Sequence, residues 1–120
     1  VTGFGLLGHQ MPMLKNSGVG ARLRFSDIPV IPETWEMVER GVIPGGTIRN
    51  QTWIEDDVEW DSEVSLDGRT ILMDAQTSGG LLIVVAPENE TPLHDALKAR
   101  GVQGHTIGTV TEERTLAVDA

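Results

Sequence analysis

Cysteine is absent from the 120 residues, aromatic side chains make up only 4%, and basic residues are few. The first absence excludes a disulfide framework, a cysteine-ligated zinc site, an iron–sulfur cluster and a cysteine nucleophile within this stretch. Nine Lys and Arg against 18 Asp and Glu leave a net charge of −9. With its bases unclustered, such a chain repels long nucleic acid and anionic membrane surfaces. No apolar run approaches the ~20 residues of a membrane span, and no signal-peptide pattern opens the sequence, so the expected location is cytoplasmic. What is present, 39% hydrophobic and 22% charged residues, suits one soluble domain that buries roughly 65% of its unfolded surface. Val1 followed by Gly3, Gly5 and Gly8 reads as a start inside a loop, hence as part of a longer protein.

Hydrophobic spacing supplies the elements. Phe4, Leu7, Met11 and Leu14 recur at helical intervals before a stop at Ser17-Gly18. Pro12 removes the bond to the Gly8 carbonyl, so this helix is expected to kink there or to begin near Gly8. Ala21, Leu23 and Phe25 alternate with Arg22 and Arg24 as in a strand buried on one face. After a Pro-rich turn at Asp27 to Pro32, a short helix is expected through Trp35 and Val38, stopping at Gly41. Pro44-Gly45-Gly46 marks Val42 to Thr52 as loop. The acidic stretch Glu55 to Glu63 alternates with Val58, Trp60 and Val64 as an edge strand, and lacks the glycine and terminal Glu of a calcium loop. Leu81 to Ala86, continuously apolar between Gly80 and Pro87, predicts a central strand covered on both faces. Thr91 as N-cap, Leu93 and Leu97 at i,i+4 and Gly101 beyond specify a further helix. His105 to Thr111 and Thr115 to Val118 read as two strands joined by a charged turn. The whole is α+β, a mixed sheet packed with helices, in a single domain over residues 1–120.

Few constellations carry chemistry. Gly3-Phe4-Gly5-Leu6-Leu7-Gly8 matches G-x-G-x-x-G and Asp27 follows at dinucleotide-fingerprint spacing, but no strand precedes the glycines and the chain is too short for a doubly wound sheet. Thr2, Gly3 and Gly5 ahead of a helix can offer N–H groups and the positive dipole end to an anion, phosphate being the obvious one; alternatively Thr2 caps the helix and the glycines permit close packing. Pro44 to Asn50 places Thr47, Arg49 and Asn50 beside flexible Gly46 and could hold an oxyanion, or Asn50 could serve an ordinary turn. Gln76, Thr77, Ser78, Gly79 and Gly80 offer polar side chains beside flexible backbone but lack the lysine of a P-loop. His9, His94 and His105 show no metal-ligand spacing, and with only five aromatics Trp35, Trp53 and Trp60 are expected to fill the core.

Taken together, VTGFGLLGH (Val1 to His9), SGV (Ser17 to Val19), PGGTIRN (Pro44 to Asn50), DAQTSGGLL (Asp74 to Leu82) and IGTV (Ile107 to Val110) resemble the C-terminal domain of the selenophosphate synthetase (selenide, water dikinase) family. The opening TGFG-type segment is shared with the wider aminoimidazole ribonucleotide synthetase-like superfamily, whose C-terminal domain is partly ferredoxin-like. Pro12 and Ala75 depart from the family pattern. The resemblance implies an enzyme making selenophosphate, AMP and orthophosphate from ATP, selenide and water, with Mg2+ on the phosphates, as a homodimer. It implies that the nucleophile and metal ligands belong to a missing N-terminal domain, so that no catalytic or metal residue lies here and no cofactor binds this piece tightly. Thr2, Gly3 and Gly5, with Gly46, Thr47, Asn50, Thr77, Ser78 and Gly79, would border the nucleotide phosphates. The alternatives are another ATP-using enzyme of the superfamily, or a noncatalytic packing or oligomerisation module whose glycines only shape turns.

Overall fold

The computed structural model describes residues 1–120. Helix α1 (Gly5–Ser17) is followed by strand β1 (Gly20–Arg24), helices α2 (Glu33–Glu39) and α3 (Gly45–Ile54), and strand β2 (Val58–Trp60). Helices α4 (Leu66–Leu72) and α5 (Glu90–Lys98) and strands β3 (Gly108–Thr111) and β4 (Leu116–Asp119) complete the chain. The four strands form one mixed sheet in the order β2-β4-β1-β3, with β1 antiparallel to β3 and parallel to β4, and β2 parallel to β4. The α+β architecture expected from the sequence is therefore present.

Alternation sets the sheet's two faces. Ala21 and Leu23 of β1, Leu116 and Val118 of β4 and Val58 of β2 turn inward, while Arg22, Arg24 and Glu59 face water. Over the inner face lie Leu7, Met11 and Leu14 of α1, Ile54 of α3, and Leu72 of α4 with Met73 just beyond it. Leu7, Met11 and Leu14 form one helical stripe, and burial of large side chains at ~1.5–3 kcal/mol each outweighs the missing Pro12 bond. The helix consequently begins at Gly5 and passes through an exposed Pro12, rather than starting near Gly8. Gly18, left-handed at φ 68°, ends it as expected.

One connection shapes the sheet. β3 and β4 follow one another in sequence yet are separated by β1, so the turn Glu112 to Thr115 steps across the start of β1. It does so at Gly20, where a Cβ would collide with the backbone of Glu113 and Thr115; Ala21 N–H is then held by Thr115 O at 2.9 Å.

Several expectations are corrected. Val42 to Thr52 is not all loop: α3 begins at Gly45 because Thr47, Asn50 and Ile54 form a buried stripe that overrides the local breakers. The Glu55 to Glu63 strand shrinks to β2 at the sheet's edge, preceded by a single 3-10 turn at Glu55–Asp57. The α5 helix starts earlier than Thr91, its N-cap being Asn89. α4, which hydrophobic spacing does not announce, is capped by Ser65, whose Oγ accepts from Gly68 N at 3.1 Å. The largest departure is Leu81 to Ala86, which is no central strand: it joins no sheet, and Leu81 is 88% exposed. Of the tryptophans, Trp60 alone packs, half-buried, against the core; Trp35 is half-buried away from it and Trp53 is 56% exposed.

Candidate functional site

The three glycine-bearing segments singled out in the sequence meet at the N-terminal end of α1. Asn50, buried on α3, holds two of them: its Nδ2 donates to Gly3 O at 3.0 Å and to Met73 O at 2.9 Å. One turn earlier, Thr47 Oγ1 donates to Asp74 Oδ1 at 2.6 Å and accepts from Ala75 N at 3.1 Å. Backbone bonds close the rest, from Gln76 N to Thr2 O at 3.1 Å, from Gly79 N to Val1 O at 3.0 Å and from Val1 N to Gly80 O at 2.7 Å. Glycines let these chains approach. Gly5 sits at φ 71°, and a Cβ there would stand 2.7 Å from the Met73 carbonyl carbon. A Cβ on Gly46 would come within 2.9 Å of the Ala75 methyl.

The predicted residues divide into two groups. Thr47 and Asn50 are buried, with their hydrogen-bonding groups directed inward, so they position backbone and touch nothing outside. Thr2, Gly3, Thr77, Ser78 and Gly79 are exposed on the outer side of the same junction. Gly5 is buried and Gly46 half-buried between the two groups. Thr2 is no side-chain cap: α1 is capped by Phe4 with no side-chain bond, and the Thr2 hydroxyl instead meets His9 Nε2 at 3.0 Å. Thr2 does contribute its carbonyl, which accepts from Gly5 N at 3.0 Å. With no acid in its first turn, the positive end of α1 has no compensating anion from its own helix. Asp27, the acid of the fingerprint spacing, lies far along the chain after β1 and pairs with Arg24 at 3.0 Å.

Sequence reasoning missed three participants. Asp74, acceptor of the Thr47 bond, has a second oxygen and also borders a depression of about 300 Å³ lined by Met37, Val42, Ile43 and Thr70. Its acid sits two residues before Gln76, the only local signal. Spacing and scarcity direct Phe4 and Trp53 inward, but Phe4 lies edge-on to both His9 (5.7 Å) and Trp53 (5.9 Å) at the surface. No cluster of three or more His, Asp or Glu side chains that could hold a metal occurs. The junction can thus present hydroxyls, backbone and a helix end to an anion, but its own residues do not fit a magnesium cage.

A family model described as "AIR synthase related protein, C-terminal domain" matches residues 1–120. Among relatives, a selenide, water dikinase of Pelobacter propionicus is 44% identical over 114 residues, covering 94% of this chain and 33% of the relative. One from Pseudomonas putida is 39% identical over 119 residues, covering 99% of this chain and 34% of its own length. The selenide, water dikinase 2 of Peptoclostridium acidaminophilum is 41% identical over 123 residues, with 98% and 35% covered. The chain spans about a third of the length of the curated relatives it matches.

Proposed function

The chain belongs to the AIR synthase related protein family, as its C-terminal domain, and from that premise we propose that it forms the phosphate-side border of the nucleotide site in a selenide, water dikinase. The observation that supports this reading most is the junction itself: three segments, tied together from within by Asn50 and Thr47, surround a helix end that has no acid of its own and leave Thr2, Gly3, Thr77, Ser78 and Gly79 facing outward. The likeness to relatives named selenide, water dikinase supports assigning the chain to the reaction that the family resemblance implies: ATP, selenide and water to selenophosphate, AMP and phosphate.

A net charge of −9 gives no bulk attraction for a polyanion, so affinity must come from local donors. The N–H groups and dipole at the start of α1 supply one, and the hydroxyls of Thr77 and Ser78 supply others. Mg2+ bound with ATP would neutralise the phosphate oxygens; its ligands, the nucleophile and the second half of the pocket would come from an N-terminal domain of the longer protein, within a homodimer located in the cytoplasm. Alone, the chain has no synthetase activity and weak or no ATP affinity, and substantial ATP turnover by it would contradict the proposal. In the full-length enzyme, Thr77→Val and Ser78→Ala should each raise KM for ATP about 10-fold or more, the equivalent of one hydrogen bond to a charged group, with stability unchanged.

A second reading, a noncatalytic packing module, draws on the inward direction of Thr47 and Asn50. Unchanged ATP kinetics in both variants would select it. A related ATP-using enzyme of the same superfamily is separated by assaying selenide-dependent against selenide-independent ATP consumption.

A further inference from the structure

We propose that Leu81–Val85 is the receiving strand for the stretch of polypeptide that leads into Val1 in proteins of the relatives' length. None of the backbone N–H or C=O groups of Leu81, Leu82, Ile83, Val84 and Val85 makes a hydrogen bond. Leu82 packs against the core, but the other four side chains are exposed, Leu81 by 88% and Val84 by 53%. Apolar, partly β-branched backbone with unpaired polar groups is a template for strand addition.

The start of the chain already points along it. Gln76 N bonds to Thr2 O, Gly79 N to Val1 O, and Val1 N to Gly80 O. As Val1 advances to Thr2 its partner recedes from Gly80 to Gln76, so the two run antiparallel, with Gly79 and Gly80 together opposite Val1 as in a β-bulge. Continued by one residue, this register sets the position before Val1 opposite Leu81, and the one before that opposite Leu82. Hydrogen-bonded and non-hydrogen-bonded pairs alternate in such a ladder, so Leu82 and Val84 are the residues whose N–H groups turn to the incoming strand. The relatives are about three times as long as the match, which provides the chain to do this. A second copy is the weaker occupant, because the bonds of Val1 and Thr2 already deliver the preceding residues of the same chain to this edge. The inference concerns the docking of the longer chain and stands whether or not the nucleotide site is where we place it.

Hydrogen exchange on the full-length protein tests it. The amides of Leu82 and Val84 should exchange at least about 100-fold more slowly than in an unstructured peptide, equally at high and low protein concentration. Unprotected amides would overturn the proposal, and so would protection that fades on dilution, which would assign the edge to a second copy. An independent measurement uses the lack of cysteine in residues 1–120. Cysteine placed directly before Val1 together with Leu81→Cys should close a disulfide on oxidation, since directly opposed residues meet its spacing. Mass spectrometry of the linked peptides reads the register, and a full-length protein that folds without forming this link would refute it.

Discussion

Two regions of the molecule treat their side chains in opposite ways. Around the start of α1, polar residues are buried: Asn50 and Thr47 lie inside, bonded to backbone and to Asp74. From Leu81 through α5, apolar residues are left outside; Leu81, Ile83, Val84 and Val85 are all exposed, and α5 buries no residue at all. The contrast shows that burial here follows the availability of partners, not hydrophobicity. A buried amide that bonds two carbonyls has a partner for each donor, whereas the apolar stretch without a strand neighbour covers only Leu82 against the core and leaves its backbone unpaired. The first region is thus a finished joint and the second an open edge.

That contrast can be broken in a graded series. Asn50→Asp should have the largest effect, at least about 3 kcal/mol in chemical denaturation, because a carboxylate would face two carbonyls it cannot donate to. Gly5→Ala should follow at roughly 2–3 kcal/mol, combining a left-handed φ with a collision against the Met73 and Asp74 backbone. Thr47→Val keeps the shape and removes both hydroxyl bonds, and about 1–3 kcal/mol is expected. In the open region, Leu97→Ala, at a half-buried position of α5, should cost less than about 1–2 kcal/mol, against ~2–5 for Leu7→Ala in the core, measured side by side. Smallest of all, Ile83→Thr in the 120-residue chain should stay within about 0.5 kcal/mol of the parent. In the full-length protein the same change should cost more, which sharpens the distinction between an edge and its occupied form.

Much of the joint is visible in the sequence. The glycine-rich segments with Thr2, Thr47, Asn50 and Thr77 stand out as one group, and the structure does bring them together. Division of labour within the group is not visible there, since only coordinates distinguish an Asn50 aimed at Met73 O from one aimed at solvent. Elements with strong local signals, such as the α1 stripe ending at Gly18 and the alternation in β1, lie where periodicity puts them. α3 is hidden because Pro44-Gly45-Gly46 reads as punctuation, although Pro44 at the N-cap precedes the helix and breaks nothing. The apolar run after Gly80 misleads for the reverse reason: its pattern describes a strand with neighbours on both sides, and periodicity does not state where those neighbours come from. Spacing alone draws Phe4 into the α1 stripe, yet it precedes the helix and so turns toward Trp53 at the surface.

The passage of Glu112 to Thr115 over Gly20 governs more than local geometry. Every strand pairing in the sheet involves either β3 or β4, so no two strands can join until Gly108 and the residues after it have emerged during synthesis. Until then α1 has only the other helices and an unpaired β1 to lean on. β1 waits without a strand neighbour, β2 cannot join the rest before β4 is threaded between them, and assembly of the sheet is delayed until Leu116–Asp119 has been made, the slow regime characteristic of long-range contacts.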